Sequence, residues 1–355
     1  MTLNELGYHK GLEPYRLENN LESFELGRVI SEHKERYIVR TEKGELDSEL
    51  IGNLRFTAES RYDFPAVGDW VAISEYDQDK ALIHAIYPRH SIIERQAIGK
   101  SGQKQIIATN IDYGLIVQAV NRDFNINRLE RYLTICNASN VVPVIILSKT
   151  DLIDEKQLNS LLDQITGRIQ DVKLIALSNE SLSGFDDLIK IIEKGNTYCL
   201  LGSSGVGKSS LLNNLIGKEQ MKTDLISQST DRGKHVTSHR ELFVLETGGI
   251  VIDNPGMREV GIADSAIGLE TTFDEIVKLS QACKFKDCRH INEKGCAILE
   301  AVENEEIDRA SYENFQRLQR ERNHYESSLL EKRKKDKDFG KMVKNIKNQR
   351  KNSKF

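Results

Sequence analysis

Between Gly27 and about Tyr87, apolar and polar residues alternate in short runs: GRVISEH, RYIVRTE, GELDSEL, VGDWVAISEY and ALIHAIYP. A period of two sends successive side chains to opposite faces of a strand, so each run reads as a strand with one buried face. Short strands broken by Gly and Asp turns at this spacing predict a small antiparallel barrel, which alternation alone leaves open between the oligonucleotide-binding (OB) and SH3-like kinds. Trp70 in VGDWV reads as barrel core rather than a base-stacking platform. Pro88 to Gln105 reads as extended chain. From Ile106 to Gly256 the period changes. Apolar runs (IIATNIDYGLIVQAV, VVPVIILS, VKLIALS, TYCLLG, ELFVLETGGIVID) alternate with helical patterns (RLERYLTICNAS, EKQLNSLLDQITGRI, FDDLIKIIEKG, KSSLLNNLIG). That alternation predicts an α/β domain whose mainly parallel sheet is covered on both faces, with a hairpin at TGG adding one antiparallel edge. Beyond Arg258 the strands stop. A Cys-rich patch, Cys283 to Cys296, leads into one long polar helix, about Ala297 to Lys335, with Ile307, Tyr312, Phe315, Leu318 and Arg322 on one face.

The expected organisation is therefore a barrel over 1–95, an α/β domain over 104–261, a metal-binding helical domain over 262–331 and a basic tail over 332–355. A chain of 355 residues suits two or three domains. Its net charge of −4 conceals a split. From Lys332 to Phe355, eleven Lys or Arg stand against two Asp, so an arm of +9 hangs from a body of −13. Basic arms of this kind meet polyanions. The longest strongly apolar run, Val141 to Leu147, contains Pro143 and is far too short to span a bilayer. The N-terminus lacks a basic start followed by an apolar core, so a cytoplasmic protein without membrane attachment is expected. Five cysteines, an odd number, do not make a disulfide framework, and three of them within fourteen residues point to metal.

Gly202, Ser203, Ser204, Gly205, Val206, Gly207, Lys208 and Ser209 spell GxxxxGK[ST], directly after TYCLL and directly before an apolar-periodic helix that Ser210 continues. Glycines there let backbone N–H groups curl around an anion, the helix N-terminus adds positive potential, Lys208 reaches the β and γ phosphates, and the Ser209 hydroxyl suits Mg2+. Asp253 closes the run GIVID, where a carboxylate can hold the Mg2+ and the N–H of Gly256 can sense the γ-phosphate. Ser148, Lys149, Thr150 and Asp151 end VVPVIIL. An Asp in that place accepts two hydrogen bonds from the N1–H and N2–H2 edge of guanine, a donor pair adenine lacks. Ser178 and Asn179, at the end of the next strand, would close over the base. The segment from Thr230 to His239 lies where a mobile switch belongs, with Thr237 as the candidate for Mg2+ and γ-phosphate. Cys283, Cys288, His290 and Cys296 supply three thiolates and an imidazole, enough for a closed, structural Zn2+ site. Cys136 and Cys199 sit in apolar patterns and read as core.

In Ras-like GTPases the phosphate loop precedes the base-reading motif, whereas here Ser148–Asp151 comes about fifty residues before Gly202–Ser209. A circular permutation accounts for this order. Together, the small barrel, the motifs SKTD, GSSGVGKS and DNPG in that order, and CKFKDCRHINEKGC followed by a helix resemble the RsgA (YjeQ) family of bacterial small ribosomal subunit biogenesis GTPases, from about Gly27 to Leu330. The resemblance implies an OB-type barrel, zinc on Cys283, Cys288, His290 and Cys296, and GTP hydrolysis stimulated by the small (30S) subunit late in its maturation. It also implies contact with 16S-type rRNA. Met257 stands where Ras-like proteins place a water-orienting Gln, so by resemblance His235, with His239 second, is expected to take that role beside Lys208 and Thr237. The sequence leaves Val236 where the family usually has Thr. A monomer binding GTP or GDP with Mg2+ and one structural zinc is expected. The rival function is an RNA-binding assembly factor whose nucleotide only sets conformation; a metabolic P-loop ATPase or kinase is the third.

Overall fold

A computed structural model describes residues 1–33, 36–96, 104–121, 124–217, 240–254 and 266–324. The alternating runs form β1 (Glu25–His33), β2 (Arg36–Arg40), β3 (Glu45–Leu50), β4 (Trp70–Asp77) and β5 (Lys80–Ile86). They pair in the order β1-β2-β3-β5-β4, and β4 returns to β1, closing a barrel in which only β3 and β5 run parallel. This connectivity resolves the choice left open by alternation in favour of an OB-like barrel. Its interior is filled by Val29, Tyr37, Val39, Leu46, Val71, Ile73, Ala81 and Ile83.

Trp70 departs from expectation. It is 1% exposed, but its neighbours in β4, Val71 and Ile73, fill the barrel while Trp70 and Ala72 face outward. There they are covered by Leu6, Leu12 and Leu21 from the N-terminal segment, whose Tyr8 ring meets the indole edge-on at 5.3 Å. Both faces of β4 are therefore buried, which a period-two pattern with one wet face does not anticipate.

The stretch after the barrel is a two-stranded ribbon, β6 (Ile92–Gln96) antiparallel to β7 (Lys104–Thr109). The run IIATNIDYGLIVQAV is not one strand; it breaks at Asn110, which has φ 54°, before β8 (Tyr113–Ala119) begins. With β9 (Val142–Ser148), β10 (Lys173–Ala176), β11 (Thr197–Leu201), β12 (Glu241–Val244) and β13 (Ile250–Asp253), β8 forms a sheet in the order β10-β9-β8-β11-β13-β12. All these neighbours are parallel except β12, which returns antiparallel to β13 through the predicted hairpin. Alternate residues of one strand serve two cores: Ile145 and Leu147 join Leu129 and Leu133 on one face, and Val144 and Ile146 join Leu188 and Leu211 on the other. Each such side chain contributes about 1.5–3 kcal/mol by leaving water.

Barrel and sheet are riveted together. β1 pairs with β12 at Ser31 and Glu241, and Gly68 packs so closely on the Thr109 carbonyl that an added Cβ would lie 2.2 Å from its oxygen. Arg28, 1% exposed, donates to the carbonyls of Gly68 (3.2 Å), Leu6 (2.6 Å) and Asn110 (3.1 Å) and to Thr197 Oγ1 (2.9 Å). One side chain thus ties the N-terminal segment, the barrel, the connecting chain and β11.

The C-terminal part contains helices Ala266–Thr272, Asp274–Ser280 and Ala297–Glu303, and residues 309–324 are helical. The expected single long helix is broken. Glu305 takes φ 63°, Glu306 N–H bonds the Ala301 carbonyl at 2.8 Å and Glu305 N–H the Val302 carbonyl at 3.4 Å. This is a Schellman ending with a glutamate where glycine usually marks it, so no glycine signals the stop. The helix over 309–324 packs on α1 (Ile126–Ala138): Glu130 receives Arg168 and Asn314, and Arg131 grips Glu321 through two bonds of 2.8 and 2.6 Å. Burial raises the Glu130 pKa against the opposing pull of Arg168.

Candidate nucleotide and metal sites

Parallel strands end at the same edge, so the loops after β9, β10, β11 and β13 meet although the chain reaches them far apart. This is where open α/β sheets bind ligands. The loop after β11 runs from Gly202 to Gly207 into α2 (Lys208–Ile216), with positive φ at Gly202 (140°), Gly205 (82°) and Gly207 (95°). The positive φ of Gly207 favours glycine, and a Cβ there would meet Asn179 Nδ2 at 2.8 Å and force that side chain to shift. Val206 is buried beneath the loop, while Ser204, Gly205, Ser209 and Ser210 are exposed. Lys208 is 8% exposed and its Nζ donates to the carbonyls of Gly202 and Ser203, each at 2.7 Å. Burial lowers its pKa and Asp253 pulls it back up; burial in turn raises the Asp253 pKa against Lys208. Two buried opposite charges therefore lie close enough to act on each other. Asn254, beside Asp253, donates to Cys199 Sγ at 2.9 Å, and its Oδ1 is buried with no partner among the described residues.

The loop after β9 leaves Ser148, fully buried, with its hydroxyl on the Val206 carbonyl at 2.6 Å. Lys149 follows in the left-handed region, φ 62°, and turns the chain so that Thr150 and Asp151 open a short 3-10 helix. Ser178 Oγ donates to Asp151 Oδ1 at 2.5 Å, and the Thr150 N–H bonds the Leu177 carbonyl at 3.3 Å. Asn179 Nδ2 donates to the Gly207 carbonyl at 3.2 Å. Ser148 and Asn179 are therefore brought against the glycine loop, and Ser178 holds Asp151 beside them. One neighbour was missed. Arg128, in the first turn of α1, donates to Ser203 Oγ at 3.1 Å. Within RLERYL it carries no motif and reads as helix surface. Thr237, His235, His239, Gly256, Met257 and the basic tail lie outside the described residues.

Cys283, Cys288, His290 and Cys296 bring four ligand atoms within 4.8 Å of one another. Cys283 Sγ lies 3.5 Å from His290 Nδ1 and 3.9 Å from Cys296 Sγ, and His290 Nδ1 lies 3.4 Å from Cys296 Sγ. A tetrahedron with metal–sulfur bonds of about 2.3 Å and metal–nitrogen bonds of about 2.0 Å has edges of roughly 3.5–3.8 Å, close to the separations among Cys283, His290 and Cys296, so the cluster could hold a metal ion. Tyr312 fixes the His290 backbone by donating to its carbonyl at 2.5 Å. Cys136 and Cys199 are fully buried, and burial pushes both thiols up, Cys199 to about 12. They are core residues.

The family model described as RsgA GTPase matches residues 86–263. A model for ABC transporters matches residues 185–349, a stretch that includes the phosphate loop; no helix among the described residues is long and apolar enough to cross a membrane. The small ribosomal subunit biogenesis GTPase RsgA 2 of Lactiplantibacillus plantarum is 42% identical over 89% of this chain and 89% of its own. RsgA 2 of Vibrio parahaemolyticus is 34% identical over 97% of this chain and 92% of its own. Among solved structures, YjeQ from Thermotoga maritima aligns with a TM-score of 0.61 at 25% identity, over 86% of this chain and 98% of that one. YloQ, described as a circularly permuted GTPase, aligns at 0.59 and 23% identity over 87% and 96%, and supports the fold. Identity of this extent, over nearly the full length of curated relatives, places the chain in the RsgA family of GTPases.

Proposed function

We propose that this chain hydrolyses GTP to GDP and phosphate while bound to the small ribosomal subunit, late in the assembly of that subunit, and that the subunit accelerates the reaction. The observation that carries the proposal is the meeting of Lys208, Asp253 and the Ser178–Asp151 pair at one edge of the sheet. The Asp151 carboxylate would accept the N1–H and N2–H2 donors of guanine, and Ser178 would hold it in place. Lys149 would lie along the ring, with Thr150 completing the turn. The glycine-loop amides would cradle the phosphates, and Lys208 would move from the Gly202 and Ser203 carbonyls to the β and γ oxygens. Ser209, Thr237 and Asp253 would hold Mg2+, which when bound neutralises charge developing between the β and γ phosphates. His235 would orient the attacking water, with Gly256 donating to the γ-phosphate.

One zinc on Cys283, Cys288, His290 and Cys296 would be structural, since a four-residue ligand set leaves no open position. The arm of +9 would add phosphate contacts to 16S-type rRNA in a cytoplasmic monomer. Single-turnover hydrolysis with and without small subunits tests the proposal: a large acceleration is expected. An unchanged rate, with nucleotide-dependent binding retained, would leave the nucleotide as a conformational switch in an RNA-binding factor.

A further inference from the structure

Guanine offers two kinds of hydrogen-bonding edge. N1–H and N2–H2 donate, and the Asp151 carboxylate suits them; O6 and N7 accept and require donors from the protein. Ser148, one turn before Asp151, has no donor left for that edge, because its single hydroxyl proton goes to the Val206 carbonyl at 2.6 Å in a fully buried position. Asn179 is differently placed. Its Nδ2 carries two hydrogens, of which one goes to the Gly207 carbonyl at 3.2 Å. Its own carbonyl receives Asn214 Nδ2 at 3.0 Å, so the residue is clamped between the glycine loop and α2. Its Oδ1 is shielded from solvent and accepts nothing among the described residues, which leaves the amide held by one bond. Ser148 and Asn179 sit side by side, since a Cβ on Gly207 would lie 2.8 Å from Asn179 Nδ2 and 3.9 Å from Ser148 Oγ.

The geometry points to a division of labour: Ser148 braces the glycine loop, and Asn179 anchors the nucleotide by donating its second Nδ2 hydrogen to the base N7. This assignment rests on the guanine-nucleotide function proposed above. Because every natural purine carries N7, the contact sets affinity, while the choice of guanine stays with Asp151.

The test uses 7-deaza-GTP, in which a C–H replaces N7, against GTP in equilibrium binding to the full chain and to Asn179→Ala and Ser148→Ala. Loss of one neutral hydrogen bond predicts that the unaltered chain binds 7-deaza-GTP about three- to tenfold more weakly than GTP. Asn179→Ala is expected to weaken GTP by a similar factor and to bind both nucleotides equally. Ser148→Ala is expected to keep the full discrimination. Should Asn179→Ala fail to fold, the unaltered chain and Ser148→Ala still decide: equal binding of GTP and 7-deaza-GTP by the unaltered chain overturns the assignment, as does discrimination that disappears in Ser148→Ala. Competition by ATP separates the two levels. ATP competing as well as GTP defeats the guanine function itself, whereas strong preference for GTP with no sensitivity to N7 defeats only the role of Asn179.

Discussion

The two edges of the central sheet are both rich in polar side chains, yet they are built to opposite rules. At the amino edge, Arg28 is buried and distributes its donors over the Gly68, Leu6 and Asn110 carbonyls and Thr197 Oγ1. At the carboxyl edge, buried Lys208 is bonded only to carbonyls of its own loop, and Asn179 and Asn254 each keep a buried, unpartnered Oδ1 among the described residues. Buried polar groups are ordinarily satisfied, so an edge that leaves several incomplete suits the nucleotide site proposed above. The satisfied edge holds domains together, and the incomplete one is available for chemistry.

Breaking the amino edge should have the largest effect. Arg28→Met removes a charge from between four buried acceptors, and is expected to destabilise the barrel–sheet unit by about 3–5 kcal/mol, read from denaturant midpoints. Nucleotide affinity of the folded fraction should be unchanged; a joint that tolerated the change would refute the rivet. Breaking the carboxyl edge should do the reverse. Lys208→Ala is expected to weaken GTP binding by about a hundredfold, about 2.7 kcal/mol, while leaving the denaturant midpoint without ligand unchanged or raised, because a buried ammonium with a lowered pKa is removed.

Metal removal is a third, more local break. Chelation is expected to expose residues 283–296 to protease and to release the helix over 309–324, while the barrel–sheet transition persists. The smallest effect is a slope. Burial raises the folded-state pKa of Asp253 above its ordinary 3.8, so the folded protein holds that proton more tightly than the unfolded chain. Stability therefore falls as pH rises from 3.8 through the folded value. Measured against Asp253→Asn in urea, the difference should move in favour of the variant across that window; a difference independent of pH would contradict a raised pKa.

How much of this was legible in the sequence follows the same division. The placement of the phosphate loop, Asp151 and Ser178 at strand ends, and the clustering of the Cys3His set, could be read because they depend on local spacing and on loops at strand ends. Trp70 on the outer face of the barrel, the bonds of Arg28 and the contact of Arg128 with Ser203 could not, since each depends on partners distant in the chain. Glu305 hid a helix end because it adopts a conformation usually signalled by glycine.

The central claim, that the carboxyl edge is a guanine-nucleotide site read by Asp151, is tested most directly by competition between GTP and XTP for the unaltered chain and Asp151→Asn. Xanthine keeps N1–H but presents a carbonyl where guanine has N2–H2, so an amide at 151 matches it as a carboxylate matches guanine. The account predicts strong preference for GTP in the unaltered chain and for XTP in the variant. Preference for GTP surviving in Asp151→Asn, or equal loss of both nucleotides, would contradict it.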